Sequence, residues 1–352
     1  MDRGKILSGN WDKQRTLFIN LPVYQAFTEH FIYHKKWDTT FFYTQISEEI
    51  RKGEMPWGCR SVKDFNERLN YINWLYKDIQ KNGYKTQCEL LSDRGEPVSF
   101  RIIDEITVRI GRNGEILFED GRHRLSIAKL VNTDKIPVKI TVRHRQWFQF
   151  RKEILAYAAQ HGGRVYHPLP HMDLSDIPSV HGEKRYNIIK PHIARMKGKL
   201  LDIGAHWGYF CHKFEEMNFQ CCAVEHDVTN LYFLYRLKKA QSRNFKVIAN
   251  SIFNCECNTH FDVVLALNIF HHFLKIKELY NQLTDFLRHL SADYLFFQPH
   301  LPDDPQMINA YKNYNCEAFV NYILKYSAMD KAKLIGTAED GRPVYLIYKK
   351  YD

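Results

Sequence analysis

The chain has no apolar run near the roughly 18 residues that a membrane-spanning helix needs, so a bilayer-embedded protein is not expected. Its opening residues, MDRGKILSGNWDKQR, hold no apolar segment of the kind a secretory signal carries, and a cytoplasmic chain is expected. Cysteine is sparse, with eight residues in all. Cys221-Cys222 falls inside an apolar run, and Cys255-x-Cys257 has no second pair at zinc-site spacing. The reading is therefore buried free thiols and no metal site. Internal repeats and low-complexity tracts are missing. So are a helix-turn-helix, a zinc finger and an RNA-binding motif. The formal charge of +10 thus leaves a nucleic-acid partner resting on charge alone. The cluster Arg143, His144, Arg145, Arg151 and Lys152 reads as a solvated face or an anion site.

What is present fits a globular protein of two domains. At 352 residues the chain exceeds one typical domain, and each half is long enough to bury a core. Gly162-Gly163, Pro168, Pro170, Pro178 and Gly182 punctuate 162–183 without helical or strand period, as a linker does. The domains are expected at 1–161 and 184–352.

The richest chemistry lies in LDIGAHWGYF, residues 201–210. A short apolar run carries Asp202 near its end and breaks at Gly204, with Gly208 close behind. This spells strand, tight turn and helix start. The next apolar run, Gln220 to Val224, closes on Glu225, whose carboxylate can accept from ribose hydroxyls. The turn lacks the GxGxxG spacing that a nicotinamide dinucleotide site prefers. Helix and strand then alternate. Thr229–Ala240 is helical, and Phe245–Ala249 is a strand ending at Asn250-Ser251. Phe261–Leu267 is apolar throughout, as expected of a strand buried on both faces. It delivers Asn268-Ile269-Phe270-His271-His272. A helix over Lys275–Leu290, a strand over Asp293–Phe297 ending in Gln298-Pro299-His300, and a helix over Phe319–Tyr326 follow. Ala332–Thr337 and Val344–Lys349 flank an Asp340-Gly341 turn, the mark of an antiparallel pair.

From about Glu183 to Asp352 the chain resembles the class I S-adenosylmethionine-dependent methyltransferases, whose seven-stranded sheet ends in an antiparallel strand. The resemblance implies an α/β, Rossmann-like domain that binds S-adenosylmethionine. Its turn would be Asp202, Gly204 and Gly208, its ribose contact Glu225, and its adenine-side position Asn250-Ser251. Asn268 to His272 would form the segment after the fourth strand. His206 stands where the family often has a glycine. An oxygen nucleophile needs its proton removed, and His272 or His271 is the candidate for that step. The plainer reading is that both histidines simply open the next helix.

The other half carries a second turn. Val108–Gly111 and Glu115–Phe118 flank Asn113-Gly114 as a hairpin, which runs into Glu119-Asp120-Gly121-Arg122-His123-Arg124 and a helix to Val131. A strand is expected over Ile136–Ile140. Free N–H groups at a helix start beside arginine forks suit a phosphate. About Ile103 to His144 is similar to the ParB/sulfiredoxin-like fold. That likeness implies an α+β domain in which Gly121, Arg122, His123 and Arg124 contact phosphate, such as that of a nucleotide, and Glu119 or Asp120 serves as metal ligand or base. The competing reading is a scaffold whose arginines pair with nearby carboxylates. Ahead of it, Ser61–Asn82 reads as a capped helix with Phe65, Leu69, Ile72, Leu75 and Ile79 on one face, packing on this unit. The aromatic cluster Phe41, Phe42 and Tyr43 reads as core.

Together these features predict a methyltransferase acting on an oxygen of a small molecule, sugar or glycolipid. A nucleotide-dependent phosphotransferase centred on the first half, or a nucleotide-gated binding protein, is the alternative.

Overall fold

The computed structural model describes residues 4–13, 16–86, 89–90, 105–193, 196–255 and 259–349. The first residues of the ParB-like stretch, Cys88, Cys257 and the last residues of the chain lie outside them. The chain forms two units, Met1–Gln149 and Phe150–Asp352. The division falls ahead of 162–183, which belongs to the second unit. That stretch is packed: Val165 and Leu174 are fully buried, and Val165 donates its N–H to Pro178 O at 2.9 Å. Its prolines and glycines shape an irregular segment with local backbone bonds, which is why it shows no period.

In the first unit β1 (Lys5–Leu7), β2 (Thr107–Ile110), β3 (Ile116–Asp120) and β4 (Lys139–His144) form a mixed sheet in the order β1-β4-β2-β3. The hairpin β2–β3 is antiparallel, and β4 runs parallel to β2. β4 starts at Lys139 rather than Ile136, because Pro137 has no N–H to give a ladder. Helices α1 (Pro22–Phe27), α2 (Phe41–Arg51), α3 (Val62–Asn82) and α4 (Arg122–Leu130) pack a core of Phe27, Ile46, Phe65, Leu69, Ile72 and Ile127. α3 begins with a full capping box: the Asp64 N–H donates to Ser61, and Asp64 accepts from the Ser61 N–H. Phe42 is buried, but Phe41, at the helix start, is 79% exposed, so only part of that aromatic cluster is core.

α5 (Arg145–Gln160) spans the division between the units. The second unit continues as α6 (Lys184–Ile193), β5 (Gly198–Ile203), α7 (Tyr209–Glu215), β6 (Phe219–Glu225), α8 (Val228–Ala240), β7 (Lys246–Ala249), β8 (Phe261–Leu267), α9 (Lys277–His289), β9 (Ala292–Gln298), α10 (Cys316–Tyr326), β10 (Lys331–Thr337) and β11 (Pro343–Tyr348). Its seven strands lie in the order β10-β11-β9-β8-β5-β6-β7. β5 to β9 are parallel, while β11 runs antiparallel to both β9 and β10.

Alternate residues of each strand feed two cores. Leu201, Ile203, Val264 and Ala266 meet α9 and α10 on one face. Leu200, Val263, Leu265 and Leu267 meet α6, α7 and α8 on the other. Each buried aliphatic side chain contributes roughly 1.5–3 kcal/mol, so the doubly buried β8 is a major source of stability. The cysteine reading needs one correction. Cys59, Cys211, Cys221 and Cys222 are buried free thiols and Cys316 is half-buried and free, but Cys255 is disulfide-bonded. It follows the short turn Ile252–Asn254 and is half-buried against the sheet core. Among the described residues, no helix is long and apolar enough to cross a membrane.

Candidate functional site

Strand order in the second unit reverses its sense at β5, flanked by β6 on one side and β8 on the other. In open α/β sheets, ligands bind beyond the carboxyl ends of the strands at such a reversal. The segments leaving β5 and β8 are the Gly204 turn and Asn268–His272.

Gly204, His206 and Gly208 all have left-handed backbone, with φ of 72°, 51° and 80°. A Cβ on Gly204 would lie 2.8 Å from Ile269 Cδ1, and one on Gly208 would lie 3.3 Å from Phe245 Cζ. Both glycines are thus demanded by packing as well as by the turn. Glu225 clasps this turn. Its Oε2 accepts the His206 N–H at 2.9 Å, and its Oε1 accepts the N–H groups of His226 and Asp227, each at 2.9 Å. A carboxylate offers about four lone-pair positions, so about one remains open for a ligand hydroxyl. Asp202 is 3% exposed, and its carboxyl is pushed up to about 7, first by burial and then by the negative charge of Glu225.

Asn250 and Ser251, expected on the adenine side, are engaged in turn chemistry. Asn250 Oδ1 accepts the Ser251 N–H at 2.8 Å, and Ser251 caps the short helix after it. Asn268 (φ 56°) donates to the Tyr166 hydroxyl at 3.1 Å and accepts from Arg342 Nη1. Arg342 in turn meets Asp304 at 2.6 Å. His271 is buried, and neither of its ring nitrogens has a hydrogen-bond partner. Burial, then the charges that His272 and His300 would carry, hold it down at about 3, so it is neutral near pH 7. His272 is exposed, its ring centroid 4.0 Å from that of His271, with Lys275 Nζ 3.2 Å from its Nδ1. The two histidines therefore differ sharply in surroundings.

Tyr166, His181, Arg185, Gln298, His300 and Arg342 join this edge without belonging to a motif in the sequence. Arg185, 1% exposed, donates Nη1 to Gln298 Oε1 at 3.2 Å. His300 Nε2 lies 2.8 Å from Asn313 Oδ1. Gln298-Pro299-His300 gave a faint signal, a polar ending on an apolar strand. Tyr166 and His181 gave none, because an irregular segment carries them.

In the first unit, Gly121 has φ 92°, and a Cβ there would meet Ile106 Cα at 2.9 Å. Arg122 is exposed. His123 lies between Phe27, with ring centroids 5.8 Å apart, and Trp57, at 4.2 Å. Burial holds it down at about 4. Arg124 is buried, donates to Glu105 and to the Lys85 carbonyl, and stacks over Tyr84 at 4.5 Å. Glu119 is ion-paired with Arg109 and accepts from Thr141, and Asp120 accepts the Gly121 N–H at 2.8 Å.

No protein-family model matches the chain, and no curated protein matches it. Among solved structures it is similar to the bifunctional kinase-methyltransferase WbdD, at 14% identity and a TM-score of 0.43, over 55% of this chain and 46% of that one. It is also similar to a Nostoc punctiforme PCC 73102 protein assigned as an O-methyltransferase, at 18% identity and a TM-score of 0.38, over 57% and 69%. A third is the N-methyltransferase NodS of Bradyrhizobium japonicum WM9 in complex with S-adenosyl-L-homocysteine, at 11% identity and a TM-score of 0.39, over 48% and 87%. The strand order of the second unit, parallel through β5 to β9 and closed by an antiparallel pair, is a Rossmann-like α/β arrangement.

Proposed function

We propose that the second unit transfers a methyl group from S-adenosylmethionine to an oxygen atom of a small molecule, sugar or glycolipid. The observation that carries this reading is the strand-order reversal at β5, where the Gly204–Gly208 turn held by Glu225 lies against the segment that leaves β8, Asn268–His272. The residues fit the cofactor's charge. Asp202 and Glu225 are neighbouring buried carboxyls, a pair that favours a ligand bearing positive groups. The open acceptor position of Glu225 suits a ribose hydroxyl.

When bound, the cofactor supplies an electrophilic methyl carbon. The protein then has to align the acceptor oxygen, exclude water and take a proton. His271, neutral and without partners on its ring, accepts a hydrogen bond from the acceptor hydroxyl. Its low proton affinity makes it a weak base, so the proton leaves as the new bond forms rather than beforehand. For the first unit, the geometry of Arg124 and His123 favours a packing role for the Gly121 turn over phosphate binding.

The test is calorimetry with S-adenosylhomocysteine, followed by a screen of hydroxyl acceptors for its release. Saturable binding and a release that His271→Asn lowers by roughly 100-fold are expected, within the usual range for a proton-transfer group. Loss of release in His272→Asn alone would move the role to His272. Absence of binding by the folded wild type would end the reading.

A further inference from the structure

Five buried polar atoms on a chain of contacting residues around Tyr166 have no hydrogen-bond partner among the described residues: Arg185 Nε and Nη2, His181 Nδ1, His167 Nε2 and the Tyr209 hydroxyl. Ring contacts tie these residues into one cluster. The Arg185 guanidinium lies 5.5 Å from the Tyr166 ring centroid, and Tyr166 and His181 are 4.6 Å apart. His181 and His167 are 5.7 Å apart, and His167 stacks on Tyr209 at 4.7 Å. A buried guanidinium with two unused donor groups is costly, because each loses its bonds to water. The nearby carboxylate of Glu339 offsets its charge but takes no hydrogen bond from it. Glu339 spends Oε1 on the N–H groups of Gly182 and Lys184, and Asp340 Oδ1 accepts from Gln298 and Arg342. Neither accepts a bond from Arg185.

The position of the cluster assigns its ligand. Arg185 is bonded to Gln298, at the end of β9, and Gln298 is bonded to the turn between β10 and β11. Glu225 ends β6 and Asn250 follows β7, on the other side of the reversal. If a cofactor's ribose sits at Glu225, the β9 side of the reversal is left to the acceptor.

We infer that the acceptor carries an oxyanion, a carboxylate or a phosphate, seated on Arg185 with His181, His167 and Tyr209 as further donors. This rests on the methyltransferase reading for the word acceptor; the anion site itself stands on the unpartnered donors. Neutral histidines and a tyrosine add hydrogen bonds, and the guanidinium supplies the charge and a two-pronged fork.

The experiment is thermal denaturation and calorimetry of the full chain with inorganic phosphate and, separately, acetate. Each is run on free protein, on protein saturated with S-adenosylhomocysteine, and on protein saturated with methylthioadenosine, which lacks the amino-acid group. The wild type should gain saturable protection from at least one anion, and S-adenosylhomocysteine should leave it intact. Which anion protects separates phosphate from carboxylate. Arg185→Lys and His181→Asn should each weaken the anion at least about tenfold, the size of one charge-assisted bond. They should leave S-adenosylhomocysteine affinity within about threefold. Protection that S-adenosylhomocysteine abolishes and methylthioadenosine spares would give the site to the cofactor's own carboxylate and overturn the inference. So would no saturable protection of the wild type. If S-adenosylhomocysteine does not bind but an anion still protects, the anion site stands and the methyltransferase reading falls.

Discussion

Glu225 has two jobs that a substitution separates by degree. Replacing it by Ala frees the three N–H groups it holds and removes the ligand's acceptor. S-adenosylhomocysteine affinity should fall by roughly 1.5–3 kcal/mol, the range for a hydrogen bond to a charged group, and the melting temperature should fall with it. Glu225→Gln, which keeps one oxygen, should lose less of both. Unchanged affinity in a folded Glu225→Ala chain, read by calorimetry, would remove this residue from the site. Arg124 makes the opposite case. It looked like a phosphate fork in the sequence because it follows a glycine at a helix start, yet its guanidinium is buried against Glu105, Lys85 O and Tyr84. Which way an arginine turns depends on residues distant in sequence, and no local spacing encodes that. Arg124→Ala should therefore cost roughly 1.5–3 kcal/mol of stability in urea denaturation, since it removes a buried charged donor from the Lys85 carbonyl and from the Tyr84 ring. The wild type should show no saturable ATP or CTP binding. A stable variant beside a nucleotide-binding wild type would restore the phosphate role.

The elements of the second unit were the most legible part of the chain. Phe261–Leu267 is a strand over its full expected length, and Glu225 closes β6 as its apolar run implied. Buried parallel strands and amphipathic helices write a period that a single sequence displays. The segment 164–182 writes none, and so Tyr166 and His181 were hidden although they reach the site. β1 was hidden too: three exposed residues pair in parallel with β4, from the far end of the unit. The Gly204 turn shows where element packing and site chemistry overlap. The nearest neighbour of a side chain there would be Ile269, which follows β8. Gly204→Val should lose stability through both the positive φ, about 1–2 kcal/mol, and crowding, about 1–3 kcal/mol. Adding Ile269→Ala should recover the crowding part in a double-mutant cycle and leave the rest. Strict additivity would mean that Ile269 is not what the glycine accommodates.

At the scale of the whole second unit, buried histidines set the response to acid. His181, His212 and His271 are held at about 4, 3 and 3, chiefly by burial, against an ordinary value of 6.5. Lowered folded values mean that the unfolded chain binds the extra protons, so stability falls as pH drops below 6.5. Each should cost about 1.4 kcal/mol between pH 7.5 and 5.5. Asp202, raised to about 7, works against them and returns about 2 kcal/mol over the same interval. Three histidines outweigh one aspartate, so the urea midpoint should decline toward pH 5.5, and Asp202→Asn should steepen the decline. A flat profile would mean that these rings are not buried neutral. The segment 164–182 adds a matter of timing. Val165 and Ser179 pair, Val180 donates to Val165 O at 2.8 Å, and His181 donates to Tyr166 O at 3.0 Å, so both ends of the segment are stitched together. Tyr166, which holds Asn268, and His181, which faces Arg185, cannot part from each other while those stitches last. Whatever rate loosens one loosens the other, and the two halves of the crevice share a single clock.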